Sequence, residues 1–341
     1  MFRIKKEIDS PEKIKEYLPF PEDLKELKQK RDQEAIDIIC GKSSKLLLII
    51  GPCSADNESA VLEYVRRLGK LQERVAEKIF IIPRIYTNKP RTRGEGYKGM
   101  LHQPDPNSGT DIQEGILSLR RMHINAIKES GLTAADEMLY PDNYAYVDDL
   151  LTYVSIGARS SENQQHRLVC SGIDLPVGVK NPMNGSLQVL LNSIYAVQIP
   201  NEFKYHHYQV QTDGNPYAHA ILRGAVDTNG IHIPNYHFED VIKFSKLYEK
   251  TGLKNPSIII DTNHSNSGKD AMQQIRIVHE VMSNKKYSKE FAKHFKGFLI
   301  ESYLQDGAQD IDGKEFGKSI TDPCIGWAKT ERLVFDIAEQ L

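Results

Sequence analysis

The sequence predicts a (β/α)8 barrel, on two observations: eight short apolar, β-branched runs that each pass at once into a polar or charged residue, and amphipathic stretches between most of them. The first pattern belongs to a buried parallel strand emptying into a loop, because such a strand is covered on both faces and only its end reaches solvent. The 341 residues contain no internal repeat, low-complexity tract or Gly/Ser-rich linker, so nothing marks a boundary in the interior. The expected division is an N-terminal extension, partly helical, over residues 1–45 and a single barrel over residues 46–341.

The elements follow in order. The first 45 residues do not fit the alternation; they are charged, with a helical pattern from about residue 22 to 40. They are expected to pack on the barrel or on another subunit, and a solvated arm with one surface helix is an equal alternative. The first strand is LLLIIGPCS, with Cys53 near its end. A helix follows over 57–77, with Asp56 and Asn57 as N-cap residues and Val61, Tyr64, Val65, Leu68 and Leu71 on its apolar face. The second strand, KIFIIPRIY, contains Arg84 and opens into a loop. The helix over 111–131 starts at Asp111, presents Ile112, Ile116, Leu119, Met122 and Ala126, and stops at Gly131. The remaining strands are TAADEM (Glu137), YVSIGAR (Arg159), LPVGVK (Lys180), HAILRG (Arg223), SIIIDTNH (His264) and GFLIES (Glu301). Further amphipathic stretches cover 185–198, 238–252, 269–284 and 327–341.

Composition narrows the function. Lys+Arg total 44 against 46 Asp+Glu, so a net charge of −2 gives no whole-molecule attraction to nucleic acid or an anionic membrane. The four cysteines form no C-x-x-C pair and no disulfide framework, and no stretch approaches the ~20 apolar residues of a membrane span. A cytoplasmic location is expected. Several local features carry no chemistry: GKSSK (41–45) lacks the upstream glycine of a phosphate loop, and His219 reads as a satisfied strand histidine. The adjacent histidines of KYHHYQ (204–209) read as strand residues pointing to opposite faces.

In a barrel the strand ends share one mouth, and here they bring Cys53, Glu137, Arg159, Lys180, Arg223, His264 and Glu301, joined by Arg91, Thr92 and Lys98 from the second loop. So many Arg and Lys repel one another unless an anion with several charges sits among them, and the guanidinium fork suits phosphate and carboxylate. The substrate is expected to be phosphorylated and acidic. Cys53, His264, Glu301 and Asp322 are the residue types of a divalent metal site suited to Mn, Fe, Co or Zn.

The strings GPCSADN (51–57), KPRT (89–92), YKGM (97–100), GARSSENQQHR (157–167), PVGVKNPMNG (176–185), GNPYAHAILRG (214–224), DTNHSNSGKD (261–270), ESYLQDGAQ (301–309) and GKSITDPCIGW (317–327) resemble, in order, the motifs of the 3-deoxy-D-arabino-heptulosonate 7-phosphate (DAHP) synthases, type I, of the class found in enteric bacteria. The resemblance implies an enzyme that condenses phosphoenolpyruvate with erythrose 4-phosphate, the first step toward chorismate and the aromatic amino acids. It implies one divalent metal held by Cys53, His264, Glu301 and Asp322, and a phosphoenolpyruvate site built from Arg91, Lys98, Glu137, Arg159, Lys180 and Arg223. Thr92 would lie near the aldose phosphate, Asp322 would also border the substrates, and Lys98, His264 and Cys53 are the catalytic candidates. It also implies a homodimer or homotetramer, with no nucleic-acid or membrane partner. Two rival readings are a ketodeoxyoctulosonate 8-phosphate synthase, disfavoured by KPRT where those enzymes typically carry K-A-N-R, and a non-catalytic sensor of phosphoenolpyruvate or an aromatic amino acid. Against the enteric pattern, KPRTRGEGYKG is one residue longer, with Tyr97 for Trp.

Overall fold

The computed structural model describes residues 1–91 and 93–341. All eight apolar runs become strands of one parallel sheet: β1 (Leu46–Gly51), β2 (Ile79–Pro83), β3 (Ala134–Met138), β4 (Leu151–Ile156), β5 (Val177–Lys180), β8 (Ala218–Leu222), β11 (Ile258–Asp261) and β12 (Phe295–Glu301). Their order is β2-β1-β12-β11-β8-β5-β4-β3, so the first and last strands are neighbours, paired from Leu47–Gly297 to Gly51–Glu301. The two ends of that order meet through a bridge between Arg84 and Ala135, with the Ile85 N–H donating to the Ala135 carbonyl at 3.0 Å. This closes the sheet into the (β/α)8 barrel.

Alternation along each strand divides the core in two. Leu46, Leu48 and Ile50 of β1 face outward, into the layer shared with Val61, Tyr64, Val65 and Leu68. Leu47 and Ile49 face inward and meet Phe80, Ile82, Tyr153, Ile221, Ile259 and Leu299. The outer layer is built by α3 (Glu58–Val75), α4 (Ile112–Ser130), α5 (Gln164–Cys170), α6 (Leu187–Gln198), α7 (Phe238–Glu249), α8 (Gln273–Tyr287), α9 (Lys289–His294) and α10 (Trp327–Glu339). Asn57 caps α3 by accepting from the Ala60 N–H at 2.9 Å, and Gly131 ends α4 at φ 68°, a left-handed turn that suits glycine. Asp56, the other expected cap residue, is instead a buried carboxyl.

The first 45 residues form α1 (Pro11–Tyr17) and α2 (Lys25–Ile39). Ala35, Ile38 and Ile39 of α2 join the inward-facing cluster, so this helix is the floor of the barrel and not a solvated arm. Polar groups fix it there: Arg31 stacks on Phe80 at 4.2 Å and donates to Thr133 Oγ1 at 3.1 Å, and the Ser257 hydroxyl donates to the Ile39 carbonyl at 2.8 Å. Outside the barrel, β6 (Asn201–Tyr205) and β7 (Tyr208–Thr212) form an antiparallel hairpin, while β9 (Ala225–Val226) and β10 (His232–Ile233) form a smaller one. The hairpin corrects the reading of KYHHYQ: Tyr205 pairs with Tyr208, so His206 and His207 are its two-residue turn, with His206 at φ 50°. Among the described residues no helix is long and apolar enough to cross a membrane.

Candidate active site

A cleft enclosing about 1000 Å3, part of it open to solvent, lies at the C-terminal ends of the strands. Its floor and walls include Cys53, Arg84, Lys89, Arg91, Glu137, Arg159, Lys180, Arg223, His264 and Asp322. The side chains arrive from the ends of the barrel strands or the loops that follow them, three of them (Arg84, Lys89 and Arg91) from beyond β2 and one (Asp322) from beyond β12, the placement the parallel topology enforces. Arg84, Lys180 and Arg223 are buried, and burying three cations within one mouth is costly unless anions answer them.

The protein supplies part of that answer. Lys180 Nζ lies 2.9 Å from Glu137 Oε2, and Arg84 Nη2 lies 2.9 Å from Glu301 Oε1. Burial alone raises the Glu137 carboxyl, but the Lys180 ammonium overcomes it and holds it below the usual range. Burial likewise depresses Lys180, and the carboxylates of Glu137 and Asp261, with the Tyr86 ring close by, more than restore it. Arg223 is different: desolvation dominates and lowers it, so it is the buried cation of the three least compensated by the protein. Such a group is suited to an incoming anion.

Around Cys53 the charges invert. Cys53 Sγ and one carboxylate oxygen from each of Glu301 and Asp322 lie within 4.8 Å of one another. Burial and the neighbouring Glu301 push the thiol up to about 11. Asp322 is held well below the usual range by Lys89, whose Nζ sits 2.9 Å from Asp322 Oδ2 and 2.6 Å from Cys53 Sγ. A thiol and two carboxylates converging in a largely buried spot form a donor set that fits a divalent cation of borderline softness. His264 stands beside this group: Nδ1 hydrogen-bonds to Asp261 Oδ1 at 3.0 Å, which aims Nε2 toward Glu301 Oε1 at 3.8 Å. Three of the four expected metal ligands are thus within ligand distance of one another, with His264 adjacent.

Of the expected substrate residues, Arg91, Glu137, Arg159, Lys180, Arg223 and Asp322 line the cleft. Lys98 does not; it is exposed and outside the cleft. The reason is local: Tyr97 is buried, its backbone carbonyl accepts from Arg91 Nε at 2.8 Å, and the adjacent Lys98 side chain is left on the opposite, solvent side of the loop. Thr92 lies outside the described residues. The lysine that sequence reasoning missed is Lys89, present in the KPRT string but not singled out there. Asp261 was missed as well; burial raises it, yet His264, Lys180 and Arg223 bring it down to about 2.

Comparison with known proteins agrees with this geometry. Residues 20–334 match the model of the DAHP synthetase I family. The phospho-2-dehydro-3-deoxyheptonate aldolase of Haemophilus influenzae is 37% identical over 337 residues, covering 96% of this chain and 90% of that one. The Tyr-sensitive phospho-2-dehydro-3-deoxyheptonate aldolase of Escherichia coli K12 is 34% identical over 343 residues, covering 97% and 92%. The structure of phospho-2-dehydro-3-deoxyheptonate aldolase from Francisella tularensis superposes with a TM-score of 0.92 at 30% identity, covering 100% of this chain and 98% of that one. On the strength of the family match and of relatives aligned along nearly the whole length, this chain belongs to the DAHP synthetase I family.

Proposed function

We propose that this chain condenses phosphoenolpyruvate with erythrose 4-phosphate and water to give 3-deoxy-D-arabino-heptulosonate 7-phosphate and inorganic phosphate. The observation that carries the reading is the juxtaposition, in one cleft, of a cation set facing a Cys/Glu/Asp group. The first matches an acidic phosphorylated substrate and the second an aldehyde that must be activated.

In this reading Arg159 and Arg223 take the phosphate of phosphoenolpyruvate, and Arg91 and Lys180 its carboxylate. Glu137 keeps Lys180 charged and aimed, since the pair is buried and direct. The enol carbon attacks the aldehyde carbon, water adds at the adjoining carbon, and the resulting hemiketal phosphate loses phosphate by breaking its C–O bond. Cations around the enol oxygen and the phosphate answer the charge that moves between them. Cys53, Glu301 and Asp322, with His264 beside them, would hold a divalent metal, and the chemistry it would supply when bound is Lewis-acid polarisation of the aldehyde. Lys89, kept protonated because Cys53, Asp322 and Glu301 outweigh its burial, gives its proton to the aldehyde oxygen as that oxygen becomes the new hydroxyl, the role first expected of Lys98, and the proton released when water adds at the adjoining carbon replaces it. Homodimeric or homotetrameric assembly belongs to the same proposal.

Phosphate release is measured from phosphoenolpyruvate with erythrose 4-phosphate and, separately, with arabinose 5-phosphate, each with and without EDTA. Chelator-sensitive release with the four-carbon sugar alone is expected. Release with the five-carbon sugar alone would replace the reaction by octulosonate synthesis, and none with either would leave a sensor.

A further inference from the structure

The joint between β2 and β3 carries the least backbone pairing in the barrel, and a buried carboxylate with no part in the proposed chemistry stands at it. Neighbouring strands elsewhere pair over three to five residues, from Val154–Val177 to Ile156–Val179 in the shorter case of β4 and β5. Here the ladder consists of the Arg84–Ala135 bridge and the Ile85–Ala135 hydrogen bond. One residue beyond it is Asp136, 5% exposed. Its Oδ1 accepts from the Thr87 backbone N–H at 2.9 Å, and its Oδ2 accepts from the Thr87 hydroxyl. The same Oδ1 accepts from the Glu137 backbone N–H at 2.7 Å. His123 of α4, fully buried, brings Nε2 to 3.6 Å from Oδ2, beyond hydrogen-bond distance, and neither of its ring nitrogens has a hydrogen-bond partner among the described residues.

A carboxylate inside a barrel strand is expensive unless every lone pair is used. Three donors use this one, with an imidazole standing nearby, and two of the donors come from the chain across the joint. Asp136 therefore continues the ladder with its side chain where the main chain no longer reaches. What it holds matters. Thr87 begins the loop in which Lys89 reaches Cys53 and Asp322 and in which Arg91 lines the cleft, while Glu137 is the partner of Lys180.

We propose that Asp136 is a positioning residue for the reaction above: it closes the mouth of the barrel at the β2/β3 joint and fixes the root of the 87–91 loop relative to Glu137, with His123 as its buried support. The inference rests on that reaction only for its kinetic readout. Displacement of this loop by a fraction of an ångström moves Lys89 and Arg91 together, a change of the kind that costs about 10- to 100-fold in rate.

The test compares Asp136→Ala and Asp136→Asn with the wild type in steady-state kinetics with phosphoenolpyruvate and erythrose 4-phosphate, and in amide hydrogen exchange. Asparagine keeps a carbonyl oxygen for both backbone N–H groups, and the Thr87 hydroxyl can rotate to accept from the new amide. The expected result is a fall in kcat/KM of about tenfold or more for the alanine variant, recovery to within about threefold of wild type for asparagine, and faster exchange confined to residues 84–91 in the alanine variant. Unchanged kcat/KM and unchanged exchange in the alanine variant would overturn the proposal. So would equal losses in both variants with exchange accelerated across the whole barrel, the signature of general destabilisation. Should the alanine variant not fold, Thr87→Val removes the hydroxyl and leaves the backbone donor; local exchange at 84–91 must then rise, and an unaltered pattern sinks the idea. A wild type that turns over neither substrate would fail the reaction and leave the exchange result to decide the joint.

Discussion

Cys53 sits where burial resists ionisation and a cation would favour it, so its value to the protein depends on what binds beside it. Cys53→Ala should leave the circular dichroism of the barrel unchanged while abolishing turnover and lowering manganese affinity in calorimetry; wild-type affinity would remove Cys53 from the ligand set. Lys180→Met leaves Glu137 buried without its cation, and phosphoenolpyruvate affinity should fall by about tenfold or more. Calorimetric affinity equal to wild type would take Lys180 out of the site. His219 sets a pH dependence of another kind. Burial lowers it from 6.5 to about 4, with its Nδ1 hydrogen-bonded to the Tyr217 carbonyl opposing, so the folded protein holds it neutral beside the Tyr153 hydroxyl. The unfolded chain therefore binds the extra proton between these values: the stabilisation is complete above pH 6.5 and is lost as pH falls toward about 4, to an extent of roughly 3 kcal/mol. Urea midpoints at pH 7 and 4.5 should converge for His219→Gln, and unchanged spacing would assign the acid slope elsewhere. Residue identity was readable at the strand ends because a strand end fixes where a side chain goes. Inside the irregular 84–111 loop no period exists, and that is why Lys98 was expected in the cleft and Lys89 was not.

At the scale of elements, the barrel strands were legible because a run covered on both faces must be apolar throughout, and the helices because one face of each meets that layer. The role of α2 was less legible: its sequence is mostly charged, and only Ala35, Ile38 and Ile39 touch the interior. The helix earns its place through those few contacts and through Arg31, which no hydrophobic pattern reports. Ile39→Ala should cost about 2–4 kcal/mol, read from chemical denaturation, because the barrel's lower layer cannot collapse to fill the space. Deleting residues 1–41 should expose Leu47, Ile49 and Phe80 at the floor and give strong binding of a hydrophobic dye. A shortened chain that stays dye-free would mean the strands close that end unaided. The joint at Asp136 escaped sequence reading for a related reason: within TAADEM an aspartate beside a glutamate looks like one more polar strand end, and only closure of the sheet shows which carboxylate faces the cleft and which the seam.

At the scale of the whole molecule, near-neutral charge gave no partner, and the strongly polar character of the mouth emerged only when distant segments met. The same convergence governs how the chain is made. The first barrel strand finds its second neighbour in β12, which ends at Glu301, so more than 240 residues separate the two sides of that ladder. During synthesis at about 5–20 residues per second, β1 waits tens of seconds with one edge unpaired. That open edge is the kind of surface that recruits strands from other chains. The nascent protein is therefore most vulnerable late, and a ribosome stalled before residue 295 holds an aggregation-prone sheet for which chaperones and a partner-free interval are the remedy.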